Sequence, residues 1–218
     1  MFEKFFKLWK TGDLLDASFK EVDNMFKLAK DMFEYSINLV IEQAENEEDI
    51  YKKDRGLNKA EIDVRRKILE HLSVNPAQDI TPSLILATIV VDIERIGDYT
   101  KNIVELSDKT GDKLQCEYKD IIKELSDRIL KNMTITIDAL EGKDKENVKI
   151  VIEDHVDIAS ICEKNMERLI NEEIKIPTKL SIIYALLFRY VKRISAHTKN
   201  VATSIINPYD RIGFKPEN

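Results

Sequence analysis

Glu94 and Asp98 stand four residues apart, and Asn102 follows after four more. On a helix that spacing stacks the three side chains in one row, each a turn beyond the last. Two carboxylates so placed repel each other by a few tenths of a kcal/mol. A cation bridging them reverses the sign of that interaction. An oxygen-rich ligand set suits hard or borderline ions such as magnesium, manganese or iron rather than thiolate-seeking ones. Gly97 lies between the pair. Glycine in mid-helix costs about 1 kcal/mol relative to alanine, which is tolerable where a neighbouring backbone or a metal cluster must come close. The plain alternative is a solvated carboxylate pair with Arg95 and Lys101 as exposed companions, and spacing alone favours it.

Other chemistries find little support. The three histidines are His71, His155 and His197, and none follows a glutamate by three positions. The E-x-x-H pattern of carboxylate-bridged di-iron enzymes is therefore missing, and the histidines read as surface residues. There is no phosphate-cradling glycine loop, no dinucleotide fingerprint and no G-x-S-x-G elbow, so an enzyme is not expected. Cys116 and Cys162 lack zinc-site spacing, and no secretory leader is recognisable. Both points suggest a reducing cytoplasm.

The elements that carry these residues are long helices. Leu15, Phe19, Val22, Phe26, Ala29, Phe33, Ile37, Val40 and Ala44 recur every three or four residues and predict a first helix from about Leu14 to Glu45. A second is expected from about Asp49 to Leu72, stopped by Asn75-Pro76. A third starts at Thr81 as N-cap with Pro82 at the first helical position. It runs to about Asp108 with Leu86, Ile89, Ile93, Ile96, Thr100 and Ile103 facing inward. Thr110-Gly111-Asp112 then echoes Thr11-Gly12-Asp13 and precedes a fourth amphipathic stretch through Leu114, Tyr118, Ile121, Leu125, Ile129, Ile135 and Leu140. Gly142-Lys143-Asp144 reads as a turn, a fifth helix covers roughly 145–173, and Pro177 opens a sixth. Arg95-Ile96 and Thr100-Lys101-Asn102-Ile103 recur as Arg193-Ile194 and Thr198-Lys199-Asn200-Val201, at a constant offset of 98 positions. Two tandem three-helix units follow, residues 1–109 with an extension over 1–13, and residues 110–218 with a tail from 208. Pro208 breaks the helical pattern, and the tail reads as disordered or as a short peripheral extension.

Composition agrees. Few glycines and prolines, 43% hydrophobic and 34% charged residues fit helices with solvated outer faces. The net charge of −6 argues against nucleic acid as a partner, because phosphate backbones are held by clustered lysine and arginine. The apolar run around Leu84–Val91 is too short to span a bilayer. Met1–Lys10 mixes Phe2, Phe5, Phe6 and Trp9 with lysines and is the candidate for peripheral membrane contact, with an extra turn packed on the bundle as the commoner outcome.

Asp92-Ile93-Glu94-Arg95-Ile96-Gly97-Asp98-Tyr99-Thr100-Lys101-Asn102-Ile103 resembles the signature of the PhoU family, in which E-R-I-G-D followed by Asn-Ile occupies the third helix of a repeat. Asp54, Asn58 and Asp63, with Asn75-Pro76-Ala77-Gln78-Asp79 downstream, resemble that family's second helix and its turn into the third. The likeness of layout runs from about Leu14 to Asn207. It implies an all-α protein of two three-helix bundles. It also implies a negative regulator of phosphate uptake, working with a phosphate ABC transporter ATPase and a membrane sensor kinase. Apart from the resemblance, a purely structural scaffold or a homo-oligomer assembling through its helix faces is a separate alternative. Some members of the family hold multinuclear metal clusters. Carried over by position, Glu94 and Asp98 supply the third-helix ligands, Asp54 and Asn58 the second-helix ones, and Asn102 an extra. The second repeat departs from this pattern. Lys192 replaces the glutamate, Ala196 the aspartate, and Glu153 and Asp157 on the fifth helix face Arg189 and Lys192. One metal site is expected, in the first repeat. The departure leaves open a diverged metal-binding scaffold serving another transporter or signalling circuit.

Overall fold

A computed structural model describes residues 13–42, 48–74, 77, 79–110, 114 and 116–216 of the chain. Among the described residues six α-helices follow one another: α1 (Asp13–Ile37), α2 (Ile50–Val74), α3 (Ile80–Thr110), α4 (Glu117–Leu140), α5 (Val148–Ile170) and α6 (Thr178–Ile206). Among the described residues there is no strand, so the all-α expectation holds. Met1–Lys10, Thr11-Gly12, Asn75-Pro76, Gln78 and Gly111-Asp112 lie outside the described residues.

Each helix forms for the reason its periodicity gives. The α1 stripe buries Val22, Phe26, Ala29, Phe33 and Ile37, and α3 buries all six of the residues expected inward. The first helix does not stay α-helical to its end. It widens into a π-helical turn over Asn38–Glu42 in which Leu39, Val40 and Ile41 are all buried. Three consecutive apolar residues cannot share one α-helical face, and the extra residue per turn of a π segment lets them point inward together. The start of α3 also differs from expectation. Asp79 rather than Thr81 stands at the boundary, with φ of 57° and its carbonyl accepting from the Ser83 N–H at 3.0 Å. Pro82 falls two positions further in, still within the first turn, where its missing N–H has no intrahelical acceptor to leave unserved.

Helices α1, α2 and α3 pack on one another, as do α4, α5 and α6, and the two units join through α3 against α6 and α1 against α4. The central four helices share one continuous apolar core that also takes in the inner faces of α2 and α5. The flanking positions of α2 and α5 matter for function, because each leaves a long seam against the third helix of its own unit. Across the join, the Asp92 carboxylate on α3 lies 2.7 Å from His197 Nδ1 and accepts from Asn200 Nδ2 at 2.9 Å. Tyr99 packs against both His197 and Tyr190.

The tail is an ordered extension. Pro208 ends α6 as expected, but the chain then folds back through a short 3₁₀ turn, Tyr209–Arg211. Asn207 Nδ2 donates to the carbonyls of Arg211 and Phe214, and the Gly213 N–H donates to Thr203 Oγ1 at 2.7 Å. Gly213 has φ of 86°, a conformation for which glycine carries no steric cost.

Candidate functional site at the seam of α2 and α3

The α2–α3 seam brings together Asp54, Glu94 and Asp98, three of the five expected ligands. Asp54 is buried at 7% exposure, in line with the apolar Ile50, Leu57, Val64 and Ile68 of its helix. The group that joins it to Asp98 is Lys101. Its ammonium donates to Asp54 Oδ2 at 3.0 Å and to Asp98 Oδ1 at 3.1 Å. The other Asp98 oxygen accepts from Arg95 at 3.2 Å. Lys101 is thus not the exposed companion that its place beside the motif suggests. It bridges two helices with only 21% of its side chain exposed. Its own pKa is raised by hydrogen bonds to both carboxylates acting against the cost of burial.

Glu94 holds its proton above the usual carboxylate range, first because it is half-buried and then because Asp98, Glu61 and Asp54 lie near, with Arg95 opposing. Glu61 is the residue that motif reading misses. It stands seven positions after Asp54, two turns along the same face of α2, which is the signal that could have found it. Asn58 and Asn102 are half-buried along the same rows.

A metal expected from the resemblance can be tested against this arrangement. Carboxylate oxygens hold such ions at about 2.0–2.3 Å, so an ion shared by Asp54 and Asp98 needs the volume that the Lys101 ammonium fills. Among the described residues no three His, Cys, Asp or Glu side chains form a cation-holding group. As folded, the donor set does not fit a cluster. Gly97 has a different purpose from the one its place in the motif suggests. A Cβ there would lie 2.4 Å from Leu57 Cδ1, so the glycine admits a leucine of α2 into the α3 backbone.

The corresponding seam of α5 and α6 is differently charged. His155 Nδ1 lies 2.9 Å from Ser195 Oγ, Lys192 pairs with Glu163, and Lys199 donates to the Gly213 carbonyl at 2.6 Å. Glu153 and Asp157 do not face α6. Both are exposed, and Asp157 pairs with Arg128 of α4 at 2.7 Å, alongside Asp154. The rotation of α5 takes Asp157 toward α4 and leaves His155 toward α6. The histidines are not surface residues either. His71 is 4% exposed with Asp79 Oδ2 at 3.4 Å, and the other two sit in seams. Burial pushes the Cys162 thiol up to about 12.

His155 gives a pH prediction. Its pKa is pushed down to about 4, chiefly by burial and then by the ammonium groups of Lys199 and Lys192, with Asp154 opposing. The unfolded ring takes its proton near 6.5, whereas the folded ring resists until about 4. The unfolded state therefore binds more protons in that window. Stability is present in full above 6.5 and falls as the pH drops toward 4. This ring should account for a loss of about 2–3 kcal/mol. Denaturant unfolding of His155→Gln beside the parent should show that part of the profile flattened, whereas equal slopes would assign the acid loss to carboxylates.

Residues 22–107, most of the first repeat, match the family model described as PhoU domain. A 124-residue stretch is 29% identical to the phosphate-specific transport system accessory protein PhoU homolog 1 of Thermotoga maritima, covering 53% of this chain and 51% of that protein. Another of 174 residues is 28% identical to the uncharacterized protein MJ1641 of Methanocaldococcus jannaschii, covering 78% of this chain and 57% of that one. The chain thus spans about half the length of these two relatives. A third match, to the phosphate-specific transport system accessory protein PhoU homolog of Clostridium acetobutylicum, is 23% identical over 210 residues, 90% of this chain and 94% of that protein. The E-R-I-G-D segment lies on the third helix of a three-helix unit, within the stretch that the PhoU domain model matches.

Proposed function

We propose that this chain is a cytoplasmic accessory protein of a phosphate-specific transport system. It restrains phosphate uptake by contact with the transporter ATPase and a membrane sensor kinase, and it does so without catalysing a reaction. The observation that carries this reading is the near end-to-end match to a relative named as such an accessory protein, over 94% of that relative's length. The architecture supports it, since six long helices present extended outer faces, with Ile62 and Leu69 of α2 and Ile150 and Val156 of α5 exposed on the flanks. No helix of the described residues is long and apolar enough to cross a membrane, which suits a partner that docks on a transporter rather than one that forms part of its channel.

A second reading has a specific observation behind it. The second-repeat seam has lost both carboxylates of the motif to Lys192 and Ala196, which favours a diverged helical scaffold serving another transporter or circuit. Affinity capture of the tagged full chain from its native cells, grown at high and at low phosphate, separates the two. Recovery of a phosphate-transporter ATPase or a sensor kinase, varying with phosphate, is the expected result. Recovery of an unrelated transporter, unchanged by phosphate, would replace the first reading with the second.

A further inference from the structure

We propose that Lys101 is a resident counter-ion standing where a metal would bridge the third-helix motif, so that the first repeat closes its acidic seam without magnesium, manganese or iron. The geometry is that of a bridge. One ammonium lies 3.0 Å from Asp54 Oδ2 on α2 and 3.1 Å from Asp98 Oδ1 on α3, and a divalent ion shared by the same oxygens cannot occupy that volume together with it. The lysine is tethered three positions from Asp98, so it holds the place at an effective concentration that a free ion must outcompete. Arg95 engages the second Asp98 oxygen, and the space beside Gly97 is filled by Leu57.

The chain contains its own control. Lys199 occupies the register of Lys101 in the second repeat, at the same 98-position offset. It lies near the His155 ring across its seam, and its hydrogen bond goes to a carbonyl rather than to a carboxylate. There the ammonium turns to the Gly213 carbonyl of the tail, and burial lowers its pKa, with only Asp92 opposing. The two lysines share a sequence context and a helix face. What separates them is the pair of carboxylates, so the carboxylates hold Lys101 in place rather than the packing of its stem. The same amphipathic stem thus serves two purposes, clamping α2 to α3 in one repeat and the tail to α6 in the other.

The test uses the full chain and three proteins: the parent, Lys101→Met, which keeps an apolar stem but no charge, and Lys101→Arg, which keeps the charge. Each is purified, stripped with chelator and offered Mn²⁺, Mg²⁺ or Fe²⁺ alone, with bound metal read by elemental analysis and the unfolding midpoint read with and without the ion. The parent and the arginine variant should carry no stoichiometric metal and show no shift. Lys101→Met should bind Mn²⁺ at least ~10-fold more tightly than the parent, with a raised midpoint. Stoichiometric metal in the parent overturns the proposal, and so does a methionine variant as indifferent to Mn²⁺ as the parent. Should Lys101→Met unfold when stripped, recovery of its fold in Mn²⁺ supports the proposal and failure to recover overturns it. None of these readouts depends on the phosphate-regulator reading, so the two can fail separately.

Discussion

Phe188→Ala should destabilise the chain by about 3–5 kcal/mol, and the loss should appear in both repeats at once. Phe188 is fully buried on α6 and meets Tyr118 of α4 edge-on, with ring centroids 5.8 Å apart and planes at 84°. Tyr184, one turn earlier, meets the same ring at 5.4 Å. Removing the Phe188 ring opens a cavity that neighbouring aromatics cannot fill without leaving their rotamers, and edge-to-face pairs add about 0.5–1.5 kcal/mol beyond area. The shared loss follows from the join. One apolar core runs through all six described helices, and the polar seam of Asp92, His197 and Asn200 lies half-buried between the repeats. Calorimetry should give a single transition, and hydrogen exchange should quicken in α1 and α3 as well as in α4 and α6. Faster exchange confined to the second repeat would show the repeats to be separate cooperative units.

Gly97→Leu should cost at least about 3 kcal/mol, whereas Gly97→Ala should cost about 1. Alanine improves helix propensity by about 1 kcal/mol, but its Cβ lands 2.4 Å from the Leu57 methyl. Leu57 is itself 1% exposed and can yield only by moving α2 or abandoning its rotamer. A leucine at 97 adds three more carbons to the same space. The explanation has a sharp consequence, because Leu57→Ala vacates the volume. Gly97→Ala and Leu57→Ala together should destabilise by clearly less than the sum of the two alone, a coupling measurable by denaturant unfolding. Strict additivity would mean that Gly97 answers to something other than Leu57. The Asp54–Lys101–Asp98 bridge spans the same seam, so pushing α2 outward also separates the groups at 3.0 and 3.1 Å.

Much of the architecture was legible before any coordinates, for a local reason. A 3.6-residue apolar period over twenty or more residues describes one helix face against one core, so α1, α3, α4 and α6 could be read from their own residues. The internal repeat was read from six positions that recur at one offset. The π-helical end of α1 was not, because Leu39, Val40 and Ile41 take their direction from what surrounds them.

The site divides along the same line. Sequence by itself placed Glu94, Asp98 and Asn102 in a row on one helix face, since residues four apart stack whatever the helix packs against. Tertiary structure alone decided what faces that row. Asp54 is 47 residues from Lys101 in the chain, and only the axial register of α2 against α3 makes them partners. The same register turns Lys101 from a surface companion into a bridge, adds Glu61 to the acidic group and seats Leu57 on Gly97. In the second repeat, the rotation of α5 directs Asp157 to Arg128 and His155 to Ser195. Periodicity specifies which face of a helix is buried. Which side chain meets which across a seam depends on the relative rotation and slide of two helices, and that is fixed by the packing of the whole core.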